Sequence, residues 1–425
     1  MRLIRLLQRW PLRITALSTT LLLALPAGLL LLVPRRSATG LDRLLPDAAL
    51  LQSFAVQPGQ SVPPLWRQRL GAAEAERLWA SQRRLWWQFW GPHGDAGAYL
   101  VLAAPPGLPL PPLSLRVDDL IVVAPSPLAR QLLQEQLKLR RRLPRGLEQR
   151  CSQTLRQQEA VHWNGIALAQ MLGPLAPLAQ SLQQGCLELR SEGAALLWQG
   201  EADATAGALA AAPPPLPFTA AAPLSSRTLL ELRGQRLELL LRGLTSSALL
   251  REALAQRYGL GEVQLRQLQD LPFTLELQPI ANGPFRAGLL LQLELPPQRR
   301  PWELMLRELS RGLQAQGLSS TQPLPALTSW SREDGTVVGG WRWLSARRLL
   351  LFLGPVPTAV AAEQPLAVME WQLLLRPTAL AASQLLPDGL PLVVQRASQL
   401  QLQGRSRGDR SGERQSALVG RLQLR

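Results

Sequence analysis

Ile14 to Val33 is a run of twenty residues without a charge, long enough at 1.5 Å per residue to cross a hydrocarbon core of about 30 Å. Arg2, Arg5, Arg9 and Arg13 precede it, and Arg35 and Arg36 follow. The excess on the amino side predicts an N-terminus inside and a body outside. A cleaved signal would have a shorter apolar region and then a small-residue site. Here Ala27-Gly28 runs on into leucines, and Ser37-Ala38-Thr39 follows two arginines. Residues 1–36 therefore read as an uncleaved signal-anchor with a membrane helix at about 14–33. The protein is expected to be single-pass, with its body periplasmic or lumenal.

Past the anchor the periods shorten. Ala48 to Val56, Leu120 to Val123 and Ala287 to Leu295 read as strands, and amphipathic helices start at Pro64-Leu65-Trp66 and Pro301-Trp302. Two stretches resemble each other. Asp118 to Ala129 and Arg348 to Ala359 both read as a buried strand, a Pro-x-Pro turn and a helix start. Ala167-Leu168-Ala169 and Ala379-Leu380-Ala381 then open helices, each followed at nearly equal spacing by an alternating hairpin. One hairpin is Leu187 to Gly200 and the other Leu400 to Leu424.

These patterns predict an α+β fold: a membrane helix, then two related units of largely antiparallel sheet with helices on one face. The units are 41–203 and 282–425. An Ala/Pro-rich linker at 204–226 reads as an extended, semi-rigid spacer rather than a packed element. Residues 227–281 form an insert outside both units, with a hairpin centred on Gly234 and a helix from Leu249 to Tyr258.

Composition changes this picture little. The net charge is +16, and Lys138 is the one lysine among 46 basic residues. Without the six arginines flanking the apolar run, a moderate +10 remains for the body, which favours anionic surfaces. Two Cys and two His exclude zinc fingers, iron–sulfur clusters and disulfide-rich scaffolds. In an oxidising compartment Cys151 and Cys186 can form a disulfide; isolated use as small apolar residues is equally compatible with the spacing.

The N-terminal anchor, Leu44-Leu45-Pro46-Asp47-Ala48 leading into a strand, the Gly283-Pro284-Phe285-Arg286-Ala287-Gly288-Leu289-Leu290 strand and the closing Leu385-Leu386-Pro387-Asp388 segment resemble a family of cyanobacterial membrane-anchored proteins known by a domain of unknown function. The resemblance spans most of residues 41–425. It implies a photosynthetic bacterial host and an extracytoplasmic body, and carries over no activity, cofactor or site residue.

The chain has no dinucleotide or Walker loop, zincin motif, nucleophile elbow or EF-hand loop. No catalytic residue, cofactor or metal site is predicted. His93 beside Asp95 reads as a turn histidine or a general base without a partnered nucleophile. His162 reads as packing, and Asp118-Asp119 as the polar start of a strand, since neighbours on a strand point apart. Two features are candidate membrane or ligand contacts. Read as one helix, Ala72 to Trp90 brings Trp79, Trp86 and Trp90 within about 40° of one another. That stripe suits a core, a bilayer interface or a stacking platform. Lys138, Arg140, Arg141, Arg142 and Arg145 form the densest basic run, a solvated helix end or a site for an anionic lipid or envelope component. Export would separate it from nucleic acid. The expected function is therefore a non-enzymatic binding or scaffold protein at the membrane. A carrier of an apolar ligand and an envelope hydrolase without a recognisable motif are the alternatives.

Overall fold

The computed structural model describes residues 38–424 except 58, 92–96, 106, 140–142, 166–181, 204–211, 246–247, 281–283, 358–368, 387–391 and 409–413. The first half begins with helix α1 (Leu41–Leu44), a 3-10 turn (Leu45–Asp47) and β1 (Leu50–Ala55). Helices α2 (Pro64–Leu70) and α3 (Ala72–Trp79) lead to β2 (Leu85–Trp90), β3 (Tyr99–Ala103), β4 (Ser114–Val117) and β5 (Leu120–Val123). Then come α4 (Pro127–Leu139), α5 (Leu147–Gln157), β6 (Ala160–Asn164), β7 (Gln184–Glu192) and β8 (Ala195–Asp203).

The second half opens with β9 (Leu230–Gly234), α6 (Glu238–Thr245), α7 (Ala248–Tyr258), α8 (Glu262–Gln269), β10 (Phe273–Pro279) and β11 (Ala287–Glu294). Helix α9 (Arg300–Ala315) precedes β12 (Ser319–Leu324), β13 (Leu327–Ser331), β14 (Val337–Trp343) and β15 (Arg348–Leu353). The chain closes with β16 (Trp371–Leu375), α10 (Pro377–Ala382), α11 (Leu392–Gln395), β17 (Gln399–Gly408) and β18 (Arg414–Gln423). The fold class is α+β, and every strand pairing among the described residues is antiparallel. No helix among the described residues is long and apolar enough to cross a membrane, and residues 14–33 lie outside them.

The pairings join into one ladder, β4-β5-β3-β2-β1-β6-β7-β8 continuing as β18-β17-β16-β9-β10-β11-β15-β14-β13-β12. The halves meet at β8–β18, in register from Ala195↔Gln423 to Asp203↔Gln415. Outward from that seam one half reads β7, β6, β1, β2, β3, β5, β4. The other reads β17, β16, β9, β10, β11, β15, β14, with β13 and β12 added. By place in the ladder β1 answers to β9 rather than to Ala287–Leu295. Residues 227–281 supply β9, α6 to α8 and β10, the places held by β1, α2, α3 and β2 in the first half.

Because successive strand residues face opposite ways, the register sorts side chains onto two faces. We call the one bearing Cys186 the disulfide face. In the first half Leu51, Val101, Leu120 and Val122 pack on this face against α1, α4 and α5. Phe54, Trp86, Leu100 and Ile121 pack on the other against α2 and α3. Helices thus cover both faces of the first half, not one as the sequence reading expects. A sheet whose strands are apolar on both sides needs cover on both. In the second half the opposite face carries the large core, where Leu230, Leu232, Phe273 and Leu293 meet Trp302 and Leu306 of α9. Several strand glycines are fixed by cross-strand rings, Gly185 and Gly404 among them. A Cβ on Gly185 would lie 2.0 Å from Trp163, and one on Gly404 would lie 2.3 Å from Trp371, so these positions admit no side chain.

The described part of the linker, residues 212–225, carries no helix or strand and packs on the sheet rather than standing apart as a spacer. Leu216 is buried against Ala417 and Val419, with Phe218 packed beside it. The Thr219 and Ala221 N–H groups each donate at 3.2 Å to the side-chain carbonyls of Gln403 and Gln401. Gln401 Nε2 returns a hydrogen bond to the Thr219 carbonyl at 2.7 Å. A polypeptide crossing a sheet face must satisfy its backbone there, and the two buried glutamines of β17 do so.

Candidate functional site

The tryptophan stripe is not one helix face. Helix α3 ends at Trp79, and residues 85–90, Leu-Trp-Trp-Gln-Phe-Trp, form β2. A run so rich in aromatic residues suits a pleated, buried surface better than a helix. Trp79 and Trp86 still meet, with ring centroids 6.4 Å apart, and Trp66 of α2 joins them at 5.0 and 5.8 Å. Phe54 stacks on Trp86 at 4.5 Å. Trp79 Nε1 donates to the Gln60 carbonyl at 3.0 Å. Trp79 and Trp86 are buried, and Trp90 is half-buried against the second-half core. These rings fill the interior, so they are not a surface for lipid or sugar.

The basic run divides. Lys138, at the end of α4, is exposed and pairs with Glu135 at 2.8 Å; Arg145 is exposed just before α5. Arg140, Arg141 and Arg142 lie outside the described residues, as do His93 and Asp95. Asp118 and Asp119 form the two-residue turn between β4 and β5. Asp118 has a φ of 54°, a conformation tolerated best by Asp, Asn and Gly. Its Oδ2 accepts the Gly40 N–H at 2.7 Å.

Cys151 and Cys186 are joined in a disulfide with a Cα–Cα distance of 5.6 Å, clipping α5 to β7. His162 lies across the ladder from Cys186, 2 % exposed. Burial lowers its pKa from 6.5 to about 4. The unfolded imidazole takes its proton first, so stability is complete above the ordinary pKa and falls as pH drops toward about 4. The loss is about 3 kcal/mol. Urea midpoints of the parent and of His162→Gln, compared between those limits, should converge as the pH falls. Parallel curves would show that the histidine titrates normally in the fold.

No local motif marks the polar residues of the second half's disulfide face. Two neighbouring rows cross it. One is Gln401↔Leu374↔Glu231↔Glu276, and the other Gln403↔Gln372↔Arg233↔Thr274. Gln401, Gln403, Glu231, Arg233 and Glu276 are all buried. Arg233 holds Glu231 through two contacts, at 2.8 and 2.9 Å. Glu276, directly across from Glu231, accepts from Gln278 Nε2 at 3.1 Å. Burial raises the Glu276 pKa and the Glu231 charge adds to this, against the Gln278 hydrogen bond and the Arg233 charge. Two carboxylates beside one guanidinium leave one negative charge uncompensated when both are ionised, so the cluster can hold a proton.

No family model, curated protein or solved structure matches this chain. The polar cluster therefore stands on its own geometry. Helices cover this face in the first half, whereas here it brings two carboxylates and a guanidinium together in burial, at a cost that packing alone would not require. The available sequence signal was the alternation Leu230-Glu231-Leu232-Arg233 facing Thr274-Leu275-Glu276-Leu277. Such alternation ordinarily marks a wetted face, and only the pairing shows these groups buried together.

Proposed function

We propose that this chain is a single-pass membrane protein with a cytoplasmic N-terminus and an extracytoplasmic body, serving as a non-enzymatic binding or scaffold module at the membrane. The observation that carries the reading is the Cys151–Cys186 disulfide. Structural disulfides persist in oxidising compartments and are rare in the cytosol, and this one supports the export expected from the charge bias around Ile14–Val33. Within the body the shared strand order of the two halves supports an internal duplication. On that reading the first copy serves as a helix-covered, disulfide-clipped platform, and the second has diverged to carry the buried Gln401/Gln403 and Glu231/Arg233/Glu276 face.

The test is topology together with thiol state. External protease on spheroplasts should remove a C-terminal tag without lysis, and both cysteines should resist alkylation until a reductant is added. A tag protected until lysis, with freely alkylated thiols, would place the body in the cytoplasm and end this reading.

A further inference from the structure

We propose that the corner of the body built from α1, the end of α4 and the start of α5 docks on the anionic headgroups of the bilayer that anchors the chain, through Lys138 and Arg145. This rests on the anchored reading above. The argument begins with the leash. The apolar run ends at Val33, and Ala38 is already 4 % exposed within the body. Five residue steps separate them, which is about 18 Å at full extension.

The body end of the leash is clamped. The Thr39 carbonyl accepts from Arg156 Nη2 at 3.2 Å, and the Gly40 N–H donates to Asp118 at 2.7 Å. Asp42 pairs with Arg156 at 3.4 Å and accepts the Ser152 hydroxyl. Leu41, Leu44 and Leu45 are buried. With the chain clamped at this point, the surface beside the clamp is the part of the body held within that reach of the membrane.

That surface includes the end of α4. Arg43 Nη2 donates to the Leu137 carbonyl at 3.0 Å, which places Lys138 next to the clamp. Arg43 and Arg156 are engaged by Asp118 and Asp42. Lys138 keeps 60 % of its side chain exposed, and its partner Glu135 is 58 % exposed; such a pair holds weakly in water. Arg145 is exposed and makes no ion pair among the described residues. A cation this close to an anionic leaflet favours contact by about fivefold per residue.

The experiment places the full-length chain in nanodiscs of neutral lipid, with or without an anionic phospholipid, each doped with a headgroup photo-crosslinker read by peptide mass spectrometry. The anchor should label in both. Peptides containing Lys138 and Arg145 should label several-fold more in anionic discs than the exposed edge strand β12. Lys138→Glu with Arg145→Glu should bring them down to the β12 level while the disulfide and the circular dichroism stay unchanged. A labelled anchor with the Lys138 and Arg145 peptides no more labelled than β12 overturns the docking and leaves the anchored reading intact. An unlabelled anchor overturns both.

Discussion

Arg233→Met is expected to destabilise the folded chain by about 3–5 kcal/mol at neutral pH, because it leaves a buried charge without its partner. Glu231 and Glu276 would then face each other across β9 and β10 with no guanidinium between them. Like charges in that position raise the pKa of one member, so the folded state would bind a proton that the unfolded chain releases near the ordinary glutamate value. The sign follows. Stability is retained at acid pH and lost as pH rises through the raised value, so the defect should shrink on acidification. Glu276 in the parent protein already tends this way, since its pKa is raised mainly by burial. Replacing the whole set, with Glu231→Gln and Glu276→Gln added to Arg233→Met, should recover much of the loss. Urea unfolding in one detergent at acid and neutral pH measures all of this. A pH-independent loss below about 1 kcal/mol would show that the cluster is solvated like a surface pair.

The second large effect is at the disulfide. Cys151 and Cys186 are 35 residues apart, and in the chain-entropy model a closed loop of that length stabilises by about 4 kcal/mol. The bond ties α5 to β7, and α5 also covers the disulfide face through Leu147, Cys151 and Leu155. Cys151→Ser with Cys186→Ala should therefore lower the unfolding midpoint strongly, with the earliest loss of hydrogen-exchange protection in α5. The same double variant should be insensitive to added reductant, whereas the parent should fall to nearly its level. A parent protein whose midpoint does not move with reductant would show that the bond adds nothing to the native state.

Local signals were legible where neighbouring residues decide the structure. The hairpins of β7 with β8 and β17 with β18 follow from alternation around polar turns. The α9 start follows from Pro301 and the spacing of Trp302, Met305, Leu306 and Leu309, which brings apolar groups to one side. The Leu120–Val123 and Arg348–Leu353 strands, matched as copies by sequence, do hold answering places in the ladder. A helical period drawn over Ala72 to Trp90 runs through a break at Ala80-Ser81-Gln82, beyond which Trp86 and Trp90 belong to a strand. Ala48–Val56 resembles Ala287–Leu295 because both are apolar strands, and composition cannot tell β9 from β11.

By itself the sequence determined the α+β class, the antiparallel hairpins and the charge bias around an apolar run, because each depends on residues a few positions apart. Only the tertiary structure decided that Cys151 and Cys186 pair. The same holds for the Ala/Pro-rich linker lying on Gln401 and Gln403, and for Glu231, Arg233 and Glu276 sharing a buried face. It also decided that residues 39–43 are clamped beside Lys138. These relations join groups from about thirty-five to nearly two hundred positions apart. Whether a polar strand residue meets water or another strand's charge is set by what the ladder places over it, and local pattern does not carry that information.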